Sequence, residues 1–252
     1  MLYILNKRRK IERIEAEYPN AYILDLTSKS IYAQKLSPFY PHGNIPIPFS
    51  KGATATCVEA VWQGLKVFEN EGVSMETFKN ATMHNLKRTV RKLGKPLGHQ
   101  KGLYSNELLD YFEARKNIYL PTYKWMLENI PDVKAILKKI TEKAKDCDIV
   151  FLDYNTNIDY KNLSTPLSHA GLVKLYIEGK YPCPTEKDEP YYSSMKEKSK
   201  AKKKSELQRI KELEEYQKTE YERDPYTIAY QKLLKEQKGE LEDEQEEETW
   251  DE

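Results

Sequence analysis

The chain has 252 residues and sets 41 Lys+Arg against 40 Asp+Glu, a net charge of +1. So balanced a total gives no global electrostatic case for nucleic-acid binding. Three scattered cysteines (Cys57, Cys147, Cys183) form no C-x-x-C pair, which argues against a zinc site or a disulfide framework and suits a reducing cytoplasm.

The apolar start Met1–Asn6 meets Lys7-Arg-Arg-Lys at once, too short for a signal or a membrane span, so no membrane partner is expected. Residues 7–17 read as a charged helix anchored by Ile11 and Ile14 and ended by Pro19-Asn20. Residues 1–20 are therefore set apart as an N-terminal charged helix. Residues 21–184 form the expected folded core, of α+β class, mainly α-helical with a small sheet. Ala21–Leu26 is its first buried strand, and Thr27–Ser30 turns the chain. Residues 37–53 hold four prolines, which no helix can run through.

From Ala55 to Phe68 the periodicity is helical. Val58, Val61, Leu65 and Phe68 make an apolar stripe, and Glu59, Gln63 and Lys66 align on a neighbouring face beside Trp62. A carboxylate, an amide and an ammonium thus converge at the edge of a buried stripe. The same spacing also suits a solvated polar ladder. Thr54 or Thr56 would cap the helix, and Glu59, three residues after Thr56, would close a capping box.

Ser74 starts a short helix. Asn80 to Leu93 reads as a basic helix carrying His84, Lys87, Arg88, Arg91 and Lys92 outward and Leu86, Val90 and Leu93 inward, followed by a basic glycine-bearing loop, Lys95–Gly102. Such a zone attracts phosphate through charge-assisted hydrogen bonds, although a solvated basic face has the same composition. Neither G-x-x-x-x-G-K-[ST] nor G-x-G-x-x-G is present.

Ser105–Asn117 reads as the next helix, with Tyr111 and Arg115 one turn apart. That pair would clamp a diphosphate or stack on a base; Arg115 would equally pair with Glu113 or Asp110. Leu120, Tyr123, Trp125 and Met126 belong to core or pocket. A helix from Pro131 to about Lys145 precedes the clearest strand, Asp148–Asp153, whose end delivers Asp153, Tyr154 and Asn155 to a loop. Asp153 and Asp159 are acid candidates of second rank. Leu163–Glu178 is a final core helix entered through Ser164 or Thr165 before Pro166, with Gly171 permitting close packing. Residues 185–252 read as a charged, partly helical or disordered tail, with nine acidic residues in the last fourteen and a partner that the sequence does not identify. The four histidines (His42, His84, His99, His169) have no serine or cysteine elbow near them and no metal-ligand spacing, so neither a metal site nor a cofactor is expected.

The loop Leu36-Ser-Pro-Phe-Tyr-Pro41 and the helix after it resemble the NADAR (YbiA-like) family, which carries F-S-N-F-x-P followed by S-E-H-x-x-Q-x-x-K-F. Ser37, Phe39, Tyr40 and Pro41 match the loop, and Glu59, Gln63, Lys66 and Phe68 match the helix. Pro38 and Ala60 stand where the family has Asn and His. Tyr111 stands four residues before Arg115 where the family has Trp. The resemblance spans roughly residues 21–181. It implies an N-glycosidase acting on ADP-ribosylated substrates or riboflavin precursors.

In that reading Glu59 faces the positive charge that builds on a sugar as its base departs. Lys66, Arg91 and Arg115 hold phosphates. Phe39, Tyr40 and Trp62 stack on the base or wall the sugar, Gln63 bonds ribose hydroxyls, and Tyr111 and Asp153 complete the substrate contacts. The substrate would be an ADP-ribosyl group on guanine in DNA, or on a metabolite. The competing expectation is a non-enzymatic nucleotide- or nucleic-acid-binding module working through the basic helix and charged tail. A third is a scaffold acting through the tail alone.

Overall fold

Strand Ile149–Asp153 is buried at all five positions, as a central strand with both faces covered should be. It is β8 of the chain, and it lies between β1 (Leu2–Asn6) and β2 (Tyr22–Asp25), parallel to both. Helix α1 (Ile11–Glu17) connects β1 to β2 and buries Ile14 against Val150 and Leu152 on one face. The opposite face sends Ile149 and Phe151 into the main core. By the two-residue alternation of a strand, Asp153 shares that second face and sits at its carboxyl end. The ends of the three parallel strands therefore bring Arg8, Thr27 and Asp153 to one side of the molecule, where open parallel sheets present ligand sites.

The intervening chain forms β3 (Ile45–Pro46) paired with β4 (Thr54–Ala55), then helix α2 (Val58–Gly64), strand β5 (Lys66–Phe68), and the short helices α3 (Met75–Lys79) and α4 (Val90–Leu93). Strands β6 (Pro96–Gln100) and β7 (Leu108–Leu109) complete an antiparallel sheet ordered β5-β6-β7. Helix α5 (Tyr111–Ala114) passes through a π-helical segment, Arg115–Tyr119, into α6 (Leu120–Asn129), followed by α7 (Pro131–Asp146) and, after β8, α8 (His169–Ile177). The architecture is α+β with minor sheets.

The computed structural model describes residues 1–27 and 32–190. These belong to one compact unit, Met1–Tyr192. The turn expected at residues 27–30 and the tail expected at 185–252 fall wholly or mostly outside the described residues. No helix among the described residues is long and apolar enough to cross a membrane.

Several elements differ from the sequence reading, each for a local reason. The helix of residues 55–68 ends at Gly64, and Lys66 leaves on β5. Gly64 abuts α3 so closely that a Cβ there would lie 2.3 Å from the Phe78 ring. The basic helix of residues 80–93 is reduced to Val90–Leu93. Asn80 Oδ1 accepts from the Thr82 amide at 2.9 Å, and Met83 and Asn85 take φ of +60° and +58°. Side chains of this kind compete with helical hydrogen bonding and favour turns. Lys95–Gly102, expected as a loop, contains β6.

The helix expected from Ser105 starts six residues later, where Asp110 accepts from the Glu113 amide at 2.8 Å. It then continues past Asn117, widening into the π turn ahead of Pro121, whose ring lacks an N–H and would crowd the carbonyl of Asn117. The last helix is capped by Ser168 rather than Ser164 or Thr165. At Gly171 a Cβ would meet Ile158 at 2.7 Å, the close packing expected there.

Candidate active site

A cleft of about 910 Å³ opens at the carboxyl ends of the parallel strands. A second depression, lined by residues 46–54, contains a single titratable side chain, Lys51, and offers no comparable chemistry. Of the ten residues given site roles from sequence, eight line the large cleft: Phe39, Glu59, Trp62, Gln63, Lys66, Tyr111, Arg115 and Asp153. Tyr40 and Arg91 do not. Tyr40 turns to His42, ring centroids 4.7 Å apart, and Arg91 is exposed on α4 and does not line the cleft, although its neighbours Thr89 and Val90 do.

The start of α2 and the proline-bracketed loop are joined by their backbones. The Glu59 amide donates to the Pro38 carbonyl at 2.8 Å, and the Ala60 amide donates to Cys57 Sγ at 3.3 Å. Cys57, not a threonine, is the cap. Thr56 instead donates its hydroxyl to the Asn80 carbonyl at 2.6 Å. Glu59 closes no capping box, and its carboxylate is directed elsewhere.

Glu59 as a whole is 7% exposed. Oε1 accepts from Gln63 Nε2 at 2.9 Å, and Oε2 has no hydrogen-bond partner among the described residues. Burial raises the carboxyl pKa above its ordinary value, against the opposing pull of Gln63, Lys87, Lys66 and His169. Lys66 is shifted the other way. Burial lowers its pKa, with the Glu59 charge resisting. Gln63, expected to bind ribose, is engaged at both ends of its amide, since Oε1 accepts from the Arg88 backbone N–H at 3.3 Å.

Asp153 is almost fully buried. Its oxygens accept from Ser168 Oγ at 2.7 Å and from the Tyr154 amide at 2.7 Å. His169 Nδ1 lies 3.1 Å from Asp153 Oδ2. Although burial works to raise it, the carboxyl pKa is lowered by His169, Ser168 and the Tyr154 amide. Glu59 and Asp153 thus have environments that separate their proton affinities, the arrangement by which one carboxyl can exchange protons while another stays ionised.

Arg115 is 2% exposed and pairs with neither Glu113 nor Asp110. Its guanidinium donates to the carbonyls of Tyr160 (3.2 Å), Asn162 (2.8 Å) and Thr165 (3.2 Å) and to the Tyr111 hydroxyl (2.9 Å). It fastens the loop that forms one wall, a role different from the diphosphate clamp expected. Arg8, Lys66 and Lys87 also line the cleft and form no ion pair among the described residues. Trp62 supplies the aromatic wall, edge-on to Tyr111 (5.9 Å) and Tyr119 (5.6 Å). Behind it His99 packs at 3.9 Å, with neither ring nitrogen hydrogen-bonded, and burial and then Lys66 push its pKa down to about 3. No group of three or more His, Cys, Asp or Glu among the described residues could hold a metal ion.

A family model covers residues 6–173, from the end of β1 into α8 and including every cleft residue named above. The chain belongs to the family of unknown function DUF6939. Neither a curated protein nor a solved structure matches it. The resemblance to the NADAR family is thereby corrected: the matching model is that of DUF6939, and nothing links it to NADAR. The shared residues were few and spaced as on one helix, whereas in this DUF6939 member the helix stops at Gly64 and the lysine stands on a strand. Sequence reasoning missed Arg8, Tyr119 and His169 as site residues, and placed Lys87 and Arg88 in a phosphate-attracting basic zone without giving either a role of its own. Tyr119 carried one signal, helical spacing from Arg115; His169 carried none, since its partners Leu26 and Asp153 are set by the fold.

Proposed function

We propose that the protein is an N-glycosidase that hydrolyses a ribosyl C–N bond in a phosphorylated, base-bearing substrate, with Glu59 exchanging the proton. The observation that carries this reading is Glu59 itself: a buried carboxyl with raised pKa, one oxygen held and the other without a partner among the described residues, in a cleft with three cations that form no ion pair among them. As the C1′–N bond breaks, the carboxyl gives its proton to the departing nitrogen. The carboxylate then opposes the cationic sugar and takes a proton from the water whose oxygen bonds C1′. One water is consumed, and Glu59 ends as it began.

The wall formed by Trp62, Phe39 and Tyr111 suits a planar base. Lys66, Lys87 and Arg8 suit phosphate. Together they favour an ADP-ribosyl group on a nucleobase, such as guanine in DNA, or on a metabolite. The three free thiols are in keeping with a cytoplasmic setting.

Incubating the full chain with ADP-ribosylated guanine in single-stranded DNA and with ADP-ribosylated small molecules, and following free ADP-ribose by mass spectrometry, tests the reading. Release that disappears in Glu59→Gln supports it. Release that survives Glu59→Gln overturns it. Binding without release in the wild type favours the second reading, a nucleotide-binding module, for which these cations alone suffice.

A further inference from the structure

We infer that Gln63 is a positioning residue that keeps the acidic proton of Glu59 on Oε2, and that Arg88 holds Gln63 to that task. The inference rests on the glycosidase reading above and gives the direction from which the proton is delivered.

One group beside Gln63 has a fixed polarity. A backbone N–H can only donate, so the Arg88 amide, 3.3 Å from Gln63 Oε1, requires the side-chain oxygen of Gln63 to face it. The NH₂ end must then face Glu59, where Nε2 lies 2.9 Å from Oε1. An amide nitrogen likewise only donates. Oε1 of Glu59 is therefore an acceptor, and a protonated Glu59 carries its hydrogen on Oε2. That oxygen has no partner among the described residues, so its proton is available to a bound molecule.

Arg88 is itself held firmly. Its guanidinium donates to the Gln63 carbonyl at 3.1 Å, to the Lys66 carbonyl, and to the Gly72 carbonyl at 2.7 Å, and it pairs with Glu71 at 3.1 Å. The first two acceptors lie at and just beyond the end of α2, where a helix leaves carbonyls without internal donors. One side chain thus closes the helix that carries Glu59 and Gln63, and its own backbone sets the amide between them. Gln63 retains one N–H for other use, but the other defines the carboxyl.

The test is a titration of Glu59 by NMR in full-length protein labelled at glutamate side-chain carboxyl carbons, with the Glu59 signal assigned by its absence in Glu59→Gln. Gln63→Leu removes the donor, and the titration midpoint should rise. With an active substrate, the acid–base limb of the kcat profile should move the same way and kcat should fall about 10- to 100-fold with KM little changed. Gln63→Met, which also cannot donate, carries the same expectation should the leucine variant not fold. Arg88→Lys, which keeps the backbone N–H but loosens its anchor, should shift the midpoint in the same direction by less. An unmoved midpoint in Gln63→Leu or Gln63→Met overturns the inference, as does a change confined to KM. The titration needs no substrate, so it gives its answer even if no N-ribosyl bond is cleaved.

Discussion

His169 places Nε2 2.8 Å from the Leu26 carbonyl, which can only accept, and Nδ1 3.1 Å from Asp153 Oδ2, a geometry that favours the imidazolium over the neutral ring. Burial alone would lower its pKa from 6.5, but the hydrogen bond and charge of Asp153 outweigh that and raise it. Asp153 moves down from 3.8 for the reciprocal reason. Stability from a raised histidine is complete below 6.5 and is lost as pH climbs through the folded value. Stability from a lowered aspartate is complete above 3.8 and is lost as pH falls through the folded value. The pair should contribute most between those limits. His169→Gln, which leaves Asp153 without its countercharge, should lose about 3 kcal/mol near pH 5. The deficit should shrink in denaturant melts above neutrality.

His99 should behave in the opposite sense. Its pKa, about 3, lies below the ordinary 6.5, so the folded state resists a proton that the unfolded chain accepts. Its destabilising effect should appear as pH falls below 6.5, at about 1.4 kcal/mol per pH unit. Because neither nitrogen is hydrogen-bonded, His99→Leu should be stabilising by about 1 kcal/mol at neutral pH and by more at pH 5. Chemical denaturation at the two pH values checks both signs.

Glu59→Gln should remove activity while raising or preserving stability. A carboxyl whose pKa is raised by burial is a liability once ionised, and that cost grows as pH rises through its folded value. Thermal melts at pH 8 should show the variant equal to or a few degrees above the wild type. A large loss of Tm would mean that the carboxylate is a structural acceptor instead.

Arg115→Met should loosen the wall that it fastens, since the Tyr160, Asn162 and Thr165 carbonyls lose its guanidinium while Asn157 Nδ2 still donates to the last two. A loss of about 3 kcal/mol is expected. Amide hydrogen exchange should quicken selectively in residues 157–166.

Lys87→Gln should weaken binding of ADP-ribose several-fold and reduce its dependence on salt, because one exposed cation at the cleft, without an ion pair among the described residues, is lost. Trp62→Ala should weaken it by about tenfold at every salt concentration, since stacking is little screened.

Local signals carried part of this site in the sequence. The unbroken apolar run Ile149–Leu152 gave the central strand and with it Asp153, and the four-residue spacing of Glu59 and Gln63 gave a true hydrogen bond. Lys66 reached the cleft although its element was misread, because a chain leaving α2 at Gly64 enters β5 beside the same opening. Strand β1 was not recognised, since its five residues acquire meaning only through pairing with β8, nearly 150 positions away. The basic helix failed because Asn80 and Thr82 satisfy the backbone locally and Asn85 takes a left-handed φ, and because Arg88 found carbonyls to bind instead of solvent. The assignment of Arg115 to phosphate failed for a related reason: a long-range loop supplied neutral acceptors that no spacing reveals.

The most direct test of the central claim is hydrolysis in H₂¹⁸O. The account predicts that ADP-ribose released by the wild-type protein carries one ¹⁸O at C1′ and that Glu59→Gln releases none. Release without the label, or labelled release undiminished in Glu59→Gln, would contradict it.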